Sequence, residues 1–150
     1  MKQQAEKILN EVKKVIVGKD IILEKILMTM IARGHVLLDD VPGTGKTTTA
    51  IAFSKALGLD YARIQFTPDV LPSDIVGFSM YDKNKGDFVF KPGAVMTNLL
   101  LADEINRTSS KTQSALLEVM EERQATVDGK TYRLPEPFTV IATQNPVGSA

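Results

Sequence analysis

Residues 36–47 read VLLDDVPGTGKT, and this stretch decides the fold. Its first three residues are apolar and predict a short strand, whereas the residues after it have the pattern of a helix. A glycine-rich loop between a strand and a helix, closed by Lys46 and Thr47, is the context of a phosphate-binding Walker A loop. One position departs from the usual pattern, since Asp40 stands where the first glycine is expected.

The residue types of this loop suit a triphosphate. Its glycines lack a Cβ, so the backbone can curl around dense negative charge and aim its N–H groups at it, and the helix N-terminus adds its dipole. Lys46 can bind the β- and γ-phosphate oxygens, and the Thr47 hydroxyl can coordinate Mg²⁺. A chance glycine turn before a helix is the alternative. The predicted nucleotide-binding residues of the loop are Pro42, Gly43, Thr44, Gly45, Lys46, Thr47 and Thr48.

An acid pair follows a second apolar run, because residues 99–102 precede Asp103 and Glu104. In a P-loop fold we expect the strand that carries this pair to lie next to the loop strand. Asp103 is then predicted to bind the hydration shell of Mg²⁺ as a Walker B acid. Glu104 is predicted to orient or deprotonate the attacking water. Alone, an acidic strand end is equally a solvated terminus or a helix cap; together with the loop, it indicates ATP hydrolysis.

Asn145 follows the last apolar run, residues 138–142. A neutral amide at this place can hold the attacking water or contact the γ-phosphate. Asn-Pro is also a common turn sequence. The residues alone leave the two interpretations equally open.

Strand and helix patterns alternate along the chain and predict an α/β fold with a parallel sheet and helices on both faces. Asp20 is expected to cap the second helix and Gly34 to end it. Two polar turns, residues 82–87 and 128–129, predict hairpins that decorate the sheet. Helices are predicted within residues 5–16, 22–31, 45–57, 73–76 and 109–123, and strands within residues 36–38, 61–66, 78–81, 88–90, 98–102, 125–127, 131–134 and 138–142.

The composition describes one soluble globular domain, with 150 residues, 43% of them apolar and 24% charged. Eighteen basic residues balance eighteen acidic ones, so there is no bulk attraction to nucleic acid or to an anionic membrane. The absence of cysteine excludes disulfides, and it fits a cytoplasmic protein. No apolar run approaches the roughly 20 residues of a membrane span. The single histidine, His35, precedes an apolar run and is predicted to be structural.

Taken together, these residues resemble the MoxR branch of the AAA+ ATPases. The resemblance covers nearly the whole chain, and it is specific because many matches follow one another in order along the sequence. They are VIVG (15–18), LLDDVPGTGKT (37–47), RIQFTPD (63–69), LPSDI (71–75), ADEINR (102–107), QSALLE (113–118) and ATQNP (142–146).

The resemblance implies a three-layer P-loop core and assigns further residues. Asp40 is no longer an exception to the loop pattern, because such proteins often have an acid before Val-Pro-Gly. Val17 and Gly18 correspond to the segment beside adenine, and Asn145 corresponds to the sensor-1 residue. Family members usually have glutamine at the position of Lys19, so no side-chain role is carried over to it.

The resemblance also bears on the hairpins and on what the chain lacks. The hairpin at 78–90 resembles the insertion within helix 2, and the one at 128–129 resembles the pre-sensor-1 insertion. Such hairpins face a central pore or a partner in related ring ATPases. Measured against the family, residues 1–150 form a truncated AAA+ domain without the fifth core strand, the arginine finger and the helical lid. We therefore expect an open edge at 36–38, weak nucleotide binding and slow turnover; Arg107 and Arg123 are not assigned as a finger.

By the same resemblance, the whole protein is a homo-hexameric, chaperone-like ATPase that uses ATP and Mg²⁺ to mature or remodel other proteins. Its partners often include von Willebrand factor A domain proteins. A nucleic-acid motor is the first alternative; Lys83, Lys85 and Lys91 favour it, but the balanced charge and the lack of an aromatic–basic stripe argue against it. A nucleotide-gated assembly module with little hydrolysis is the second. A small-molecule kinase lacks support, because the pattern shows no second substrate pocket.

Overall fold

A computed structural model describes residues 2–39 and 45–144 of the chain. The helices are α1 (Lys2–Lys13), α2 (Asp20–Ile31), α3 (Lys46–Leu57), α4 (Pro72–Val76) and α5 (Ser110–Glu122), with a 3₁₀ turn at Ile105–Arg107. The strands are β1 (Val36–Asp39), β2 (Tyr61–Gln65), β3 (Gly77–Asp82), β4 (Asp87–Pro92), β5 (Leu99–Asp103), β6 (Gln124–Val127), β7 (Lys130–Arg133) and β8 (Thr139–Gln144). This order of elements confirms the predicted α/β fold.

The central sheet is parallel and has the strand order β1-β8-β5-β2. The expectation that the acid-bearing strand β5 lies next to the loop strand β1 is wrong, because β8 lies between them. Burial explains why β8 and not β1 is the neighbour of β5. All of β8 except its last residue is buried, as is usual for a central strand of a parallel sheet, whereas β1 alternates between half-buried and exposed positions.

Strand β1 forms one edge of the sheet in the described part of the chain, since its only partner there is β8. Leu37, in the middle of β1, is 56% exposed. The expected open edge at residues 36–38 is therefore present among the described residues.

The sheet separates two hydrophobic clusters. Leu99 and Leu101 of β5 point to one face, where they pack with residues of α1, α2 and α3 such as Phe53. Leu100 and Ala102 point to the other face, where they pack with residues of α4 and α5. Alternate residues of one strand thus serve opposite faces, which confirms helices on both sides of the sheet.

The two ends of α2 differ from the prediction. Asp20 is the first helical residue and does not cap the helix; Lys19 occupies the N-cap and makes no side-chain capping bond. At the other end Arg33, with φ +62°, adopts the left-handed conformation that Gly34 was expected to supply. The N–H groups of Arg33 and Gly34 donate to the carbonyls of Met30 and Thr29, which is the hydrogen-bond pattern of a Schellman motif.

Helix α5 lies within the predicted residues 109–123, and the first and last residues of that range flank it as caps. The Ser109 hydroxyl accepts a hydrogen bond from the Thr112 N–H at the N-cap, and Arg123 ends the helix in the left-handed conformation. Of its predicted apolar side, Leu116 and Val119 are buried, whereas Leu117 is exposed.

Both predicted hairpins are present, as β3–β4 and β6–β7. Their mutual contact includes Phe90 of β4 and Tyr132 of β7, whose rings are stacked with centroids 3.8 Å apart and planes 9° apart. The first hairpin also carries exposed apolar side chains: Phe78, Met80, Tyr81 and Phe88.

His35 joins three elements and has the structural role that was predicted for it. Its Nδ1 accepts a hydrogen bond from the Val140 N–H of β8 at 2.9 Å, and its Nε2 lies 3.1 Å from the Met120 carbonyl of α5. Because a carbonyl can only accept, the proton is assigned to Nε2, and the ring is neutral. Burial is the main cause that lowers the pKa of His35 from 6.5; the Arg123 charge acts in the same direction, and the bond to Met120 opposes them.

We predict that His35 makes the protein less stable in mild acid. Its pKa is lower in the folded than in the unfolded chain, so its contribution is fully present above 6.5 and is lost as the pH falls from there through the lower folded pKa. Urea unfolding of the wild type at a series of pH values should show the free energy of unfolding decreasing in this window.

The control is His35→Gln, which cannot titrate. It should cost about 1–3 kcal/mol at neutral pH, because a buried hydrogen-bonding group loses its partner. Its stability should then vary less than that of the wild type through the same pH window. Parallel pH profiles for the two proteins would contradict the role given to His35.

Candidate functional site

Asp103 lies at the carboxyl end of β5 and is the centre of the site. By the alternation of the strand it shares the face of Leu99 and Leu101, which is the face that α3 covers. Asp103 is only 1% exposed, although it is a carboxylate. A buried carboxylate requires partners, and three side chains of the described residues contact it.

The three partners share the two carboxylate oxygens. Oδ1 lies 2.8 Å from Lys46 Nζ and accepts a 2.7 Å hydrogen bond from the Thr143 hydroxyl. Oδ2 lies 2.7 Å from a guanidinium nitrogen of Arg63. The structure therefore brings Lys46 and Asp103 together, as the sequence predicted, even though their strands are not neighbours.

Asp103 is ionised in this arrangement. Burial by itself raises the pKa of Asp103, but the hydrogen bonds from Lys46, Thr143 and Arg63 together outweigh burial, and the pKa lies below its ordinary value. A carboxylate that stays ionised can still serve as a ligand for a cation.

Helix α3 presents its N-terminus to the same place. Gly45 is the N-cap, with φ +72°, a left-handed conformation that glycine adopts without strain. The N-cap makes no side-chain capping bond among the described residues, and the first N–H groups of a helix, which have no partner within the helix, suit an anion. Lys46 and Thr47 are half-buried at this end, and Thr48 is exposed.

Glu104 follows Asp103 in the left-handed conformation, with φ 57° and ψ 54°. Its backbone N–H donates to the Thr143 hydroxyl at 2.9 Å, and its carboxylate Oε2 lies 3.1 Å from the Arg107 guanidinium. One hydroxyl thus contacts both acids of the pair, through the side chain of Asp103 and the backbone of Glu104.

A largely apolar cavity of about 230 Å³ lies beside Lys46. It is lined by Lys19, Ile22, Leu23, Ile26, Leu38, Asp39, Lys46, Thr49 and Ile141. Gly18 lines an adjoining depression that also includes Lys19 and Ile22, whereas Val17 is 84% exposed and lines neither. Of the two residues predicted beside adenine, Gly18 is therefore the nearer to an apolar cavity. Lys19, to which no role was carried over, lines both spaces.

The residues present fit Mg²⁺ held mainly by a nucleotide. In the described part of the chain no group of three or more histidine, cysteine or acidic residues can hold a metal by itself. Asp103 offers one ionised carboxylate, and Thr47 adds a hydroxyl next to Lys46. Mg²⁺ commonly takes only one or two protein ligands and obtains the rest from phosphates and water.

Four predicted site residues lie outside the described residues: Pro42, Gly43, Thr44 and Asn145. Their proposed contacts with phosphate and water stay predictions.

Sequence reasoning missed Arg63, Gln65 and Thr143. Arg63 also bonds the Gln65 side chain at 2.9 Å, and the amide of Gln65 lies 3.5 Å from the Asp103 carbonyl. The available signal was polarity inside two strands, since arginine, glutamine and threonine interrupt apolar runs.

The two arginines that were not assigned as a finger have partners within the chain. Arg107 pairs with Glu104. Arg123 donates to the carbonyls of Phe138 and Arg33, and so connects the end of α5 to the residue before β8 and to the segment before β1.

The chain is similar to known ATPases and chaperones. Residues 35–150 match the family described as the ATPase family associated with various cellular activities (AAA). The uncharacterized protein YeaC of Bacillus subtilis (strain 168) is 55% identical over 141 residues, which are 94% of this chain and 44% of YeaC. Chaperone MoxR1 of Mycobacterium tuberculosis is 48% identical over 142 residues, which are 95% of this chain and 38% of MoxR1.

A solved structure has the same fold. It is a crystal structure of a Cytophaga hutchinsonii protein provisionally described as an ATPase. It has a TM-score of 0.87 and 46% identity, and the match covers 99% of this chain and 45% of that one. The chain thus spans less than half the length of each of these relatives.

Within residues 2–39 and 45–144, no helix has the length and apolar character needed to cross a bilayer. The family match, the two relatives and the solved structure agree with the motifs and with the Lys46–Asp103 geometry. The chain therefore belongs to the MoxR branch of the AAA+ ATPases.

Proposed function

We propose that this chain carries the nucleotide site of a protein that binds ATP with Mg²⁺ and hydrolyses it. The observation that carries the proposal is the convergence of Lys46, Asp103 and Thr143 within hydrogen-bond distance at the N-terminus of α3. A cation, an ionised acid and the N-terminus of a helix are the parts that phosphoryl transfer requires, because catalysis there is mainly positioning and charge stabilisation.

Each residue has a distinct role in this proposal. Lys46 binds the β- and γ-phosphate oxygens, while Thr47 and Asp103 hold Mg²⁺ directly or through its water. Bound Mg²⁺ supplies charge neutralisation on the phosphates. Glu104 accepts a proton from the attacking water or orients it, after its carboxylate exchanges Arg107 for that water. Asn145 holds the same water or the γ-phosphate.

The adenine lies in the apolar cavity between α2 and β1 in this proposal. The cavity adjoins Lys46 and is lined mostly by aliphatic side chains such as Ile22 and Ile141, which suit the face of a purine. Gly18 borders the adjoining depression and allows a close approach of its backbone.

We further propose that hydrolysis drives chaperone-like remodelling or maturation of partner proteins in the cytoplasm, by a homo-hexamer. The name of MoxR1 as a chaperone and the exposed apolar side chains of the first hairpin, Phe78, Met80, Tyr81 and Phe88, support a protein partner. Proteins with a von Willebrand factor A domain are the partners to test first, by co-purification with the full-length protein carrying Glu104→Gln.

We predict that Lys46→Ala abolishes most nucleotide binding. Loss of a charge-assisted contact should lower the affinity for a fluorescent ATP analogue by about tenfold or more in the presence of Mg²⁺. The matched control is Lys55→Ala, which removes an exposed lysine from the other end of the same helix and should bind normally. Circular dichroism must show that both variants are folded. Equal affinities for the two folded variants would contradict the assignment of Lys46.

We predict that Glu104→Gln separates binding from hydrolysis. The amide keeps the size of the side chain and an oxygen for Arg107, but it cannot take a proton, so turnover should fall by about 100-fold or more at unchanged affinity. Steady-state phosphate release measures this in the 150-residue chain and in a protein extended to the length of its relatives.

Glu118→Gln, an exposed position on α5, is the control for the lost charge and should hydrolyse ATP at the wild-type rate. If Glu104→Gln hydrolysed as fast as wild type, Glu104 would not be the water-handling acid. If turnover were absent in the wild type but partner effects persisted, the assembly module would be the better function.

A further inference from the structure

Arg63 lies outside the nucleotide motifs but contacts Asp103, the acid proposed to hold Mg²⁺. It lies on β2, which pairs with β5 so that Arg63 is opposite Leu101 and Gln65 is opposite Asp103. From there its guanidinium reaches Asp103 Oδ2 at 2.7 Å. Neither the Walker A loop nor the acid pair explains a cation at this position.

The two oxygens of the Asp103 carboxylate have different partners. Oδ1 is directed at Lys46 and Thr143, on the side of the α3 N-terminus, whereas Oδ2 is held by Arg63. The Gln65 side-chain oxygen, 2.9 Å from the same guanidinium nitrogen, holds that nitrogen in place. The orientation of the carboxylate therefore depends on β2 as well as on β8.

The charge of Arg63 is permanent and lies close to the place where a metal would act. A guanidinium does not lose its proton in proteins. At this distance it reduces the negative potential that Asp103 presents to any cation, and it adds positive potential for the phosphates of a nucleotide. The Arg63 side chain is 42% exposed, so its charge is partly solvated, but Asp103 is buried and feels the contact through little solvent.

We propose that Arg63 is a positioning residue that acts through Asp103 and sets the magnesium dependence of the nucleotide site, because its charge weakens the attraction of the Asp103 carboxylate for Mg²⁺. This inference rests on the proposed function of the site. It assigns a role to the RIQF segment of β2, which the nucleotide motifs leave without one.

The test is the free Mg²⁺ concentration that gives half of the maximal Mg²⁺-dependent gain in affinity for a fluorescent ATP analogue. Arg63→Gln removes the cation and keeps a polar side chain, so this half-point should fall about tenfold. Affinity for the analogue in the presence of a chelator should fall in the same variant, because the phosphates lose a favourable charge. Arg133→Gln on the exposed strand β7 is the matched control for the loss of one arginine and should leave both values unchanged.

Gln65→Ala is a second variant, useful if Arg63→Gln does not fold. It keeps the cation but removes the oxygen that holds it, so the half-point should fall by about two- to threefold. A half-point that is unchanged or higher in either folded variant would overturn the inference, and would leave Arg63 as a counter-ion that matters for stability alone. Absence of analogue binding by the wild type at every Mg²⁺ concentration would overturn the proposed function and this inference with it.

Discussion

The burial of one ionised carboxylate, Asp103, is the constraint on which the rest of the site depends. A charge this far from water is tolerated only where cations and hydroxyls surround it. Lys46 comes from the start of α3, Thr143 from β8 and Arg63 from β2, so the elements must be arranged as they are for the charge to be compensated. The same compensation that stabilises the fold places a lysine beside an acid.

The position of β8 in the middle of the sheet determines how Asp103 is held. Because β8 lies between β1 and β5, its Thr143 hydroxyl can donate to the Asp103 carboxylate and accept from the Glu104 N–H. The acid that would hold the metal and the acid that would handle water are thereby fixed by one side chain.

Much of the fold could be predicted from the sequence because its signals are local. The loop that ends in Lys46, the acids after β5 and the two polar turns each follow from a few adjacent residues. The strand order could not be predicted, since the pairing of Val36 with Ile141 joins residues far apart and leaves no local signal. Arg63 and Thr143 do interrupt apolar runs, but polarity alone does not name a partner, and only the sheet brings Asp103 to them.

The stacked rings of Phe90 and Tyr132 have a mechanical consequence. They belong to hairpins that lie far apart in the sequence, yet they meet face to face at 3.8 Å. The stack joins the two hairpins, so a displacement of one hairpin that keeps the rings in contact must also displace the other. Tyr132 lies on β7, which pairs with β6, and β6 begins just after α5 ends. The first hairpin is thus connected through this stack and strand pair to the helix that packs against the sheet.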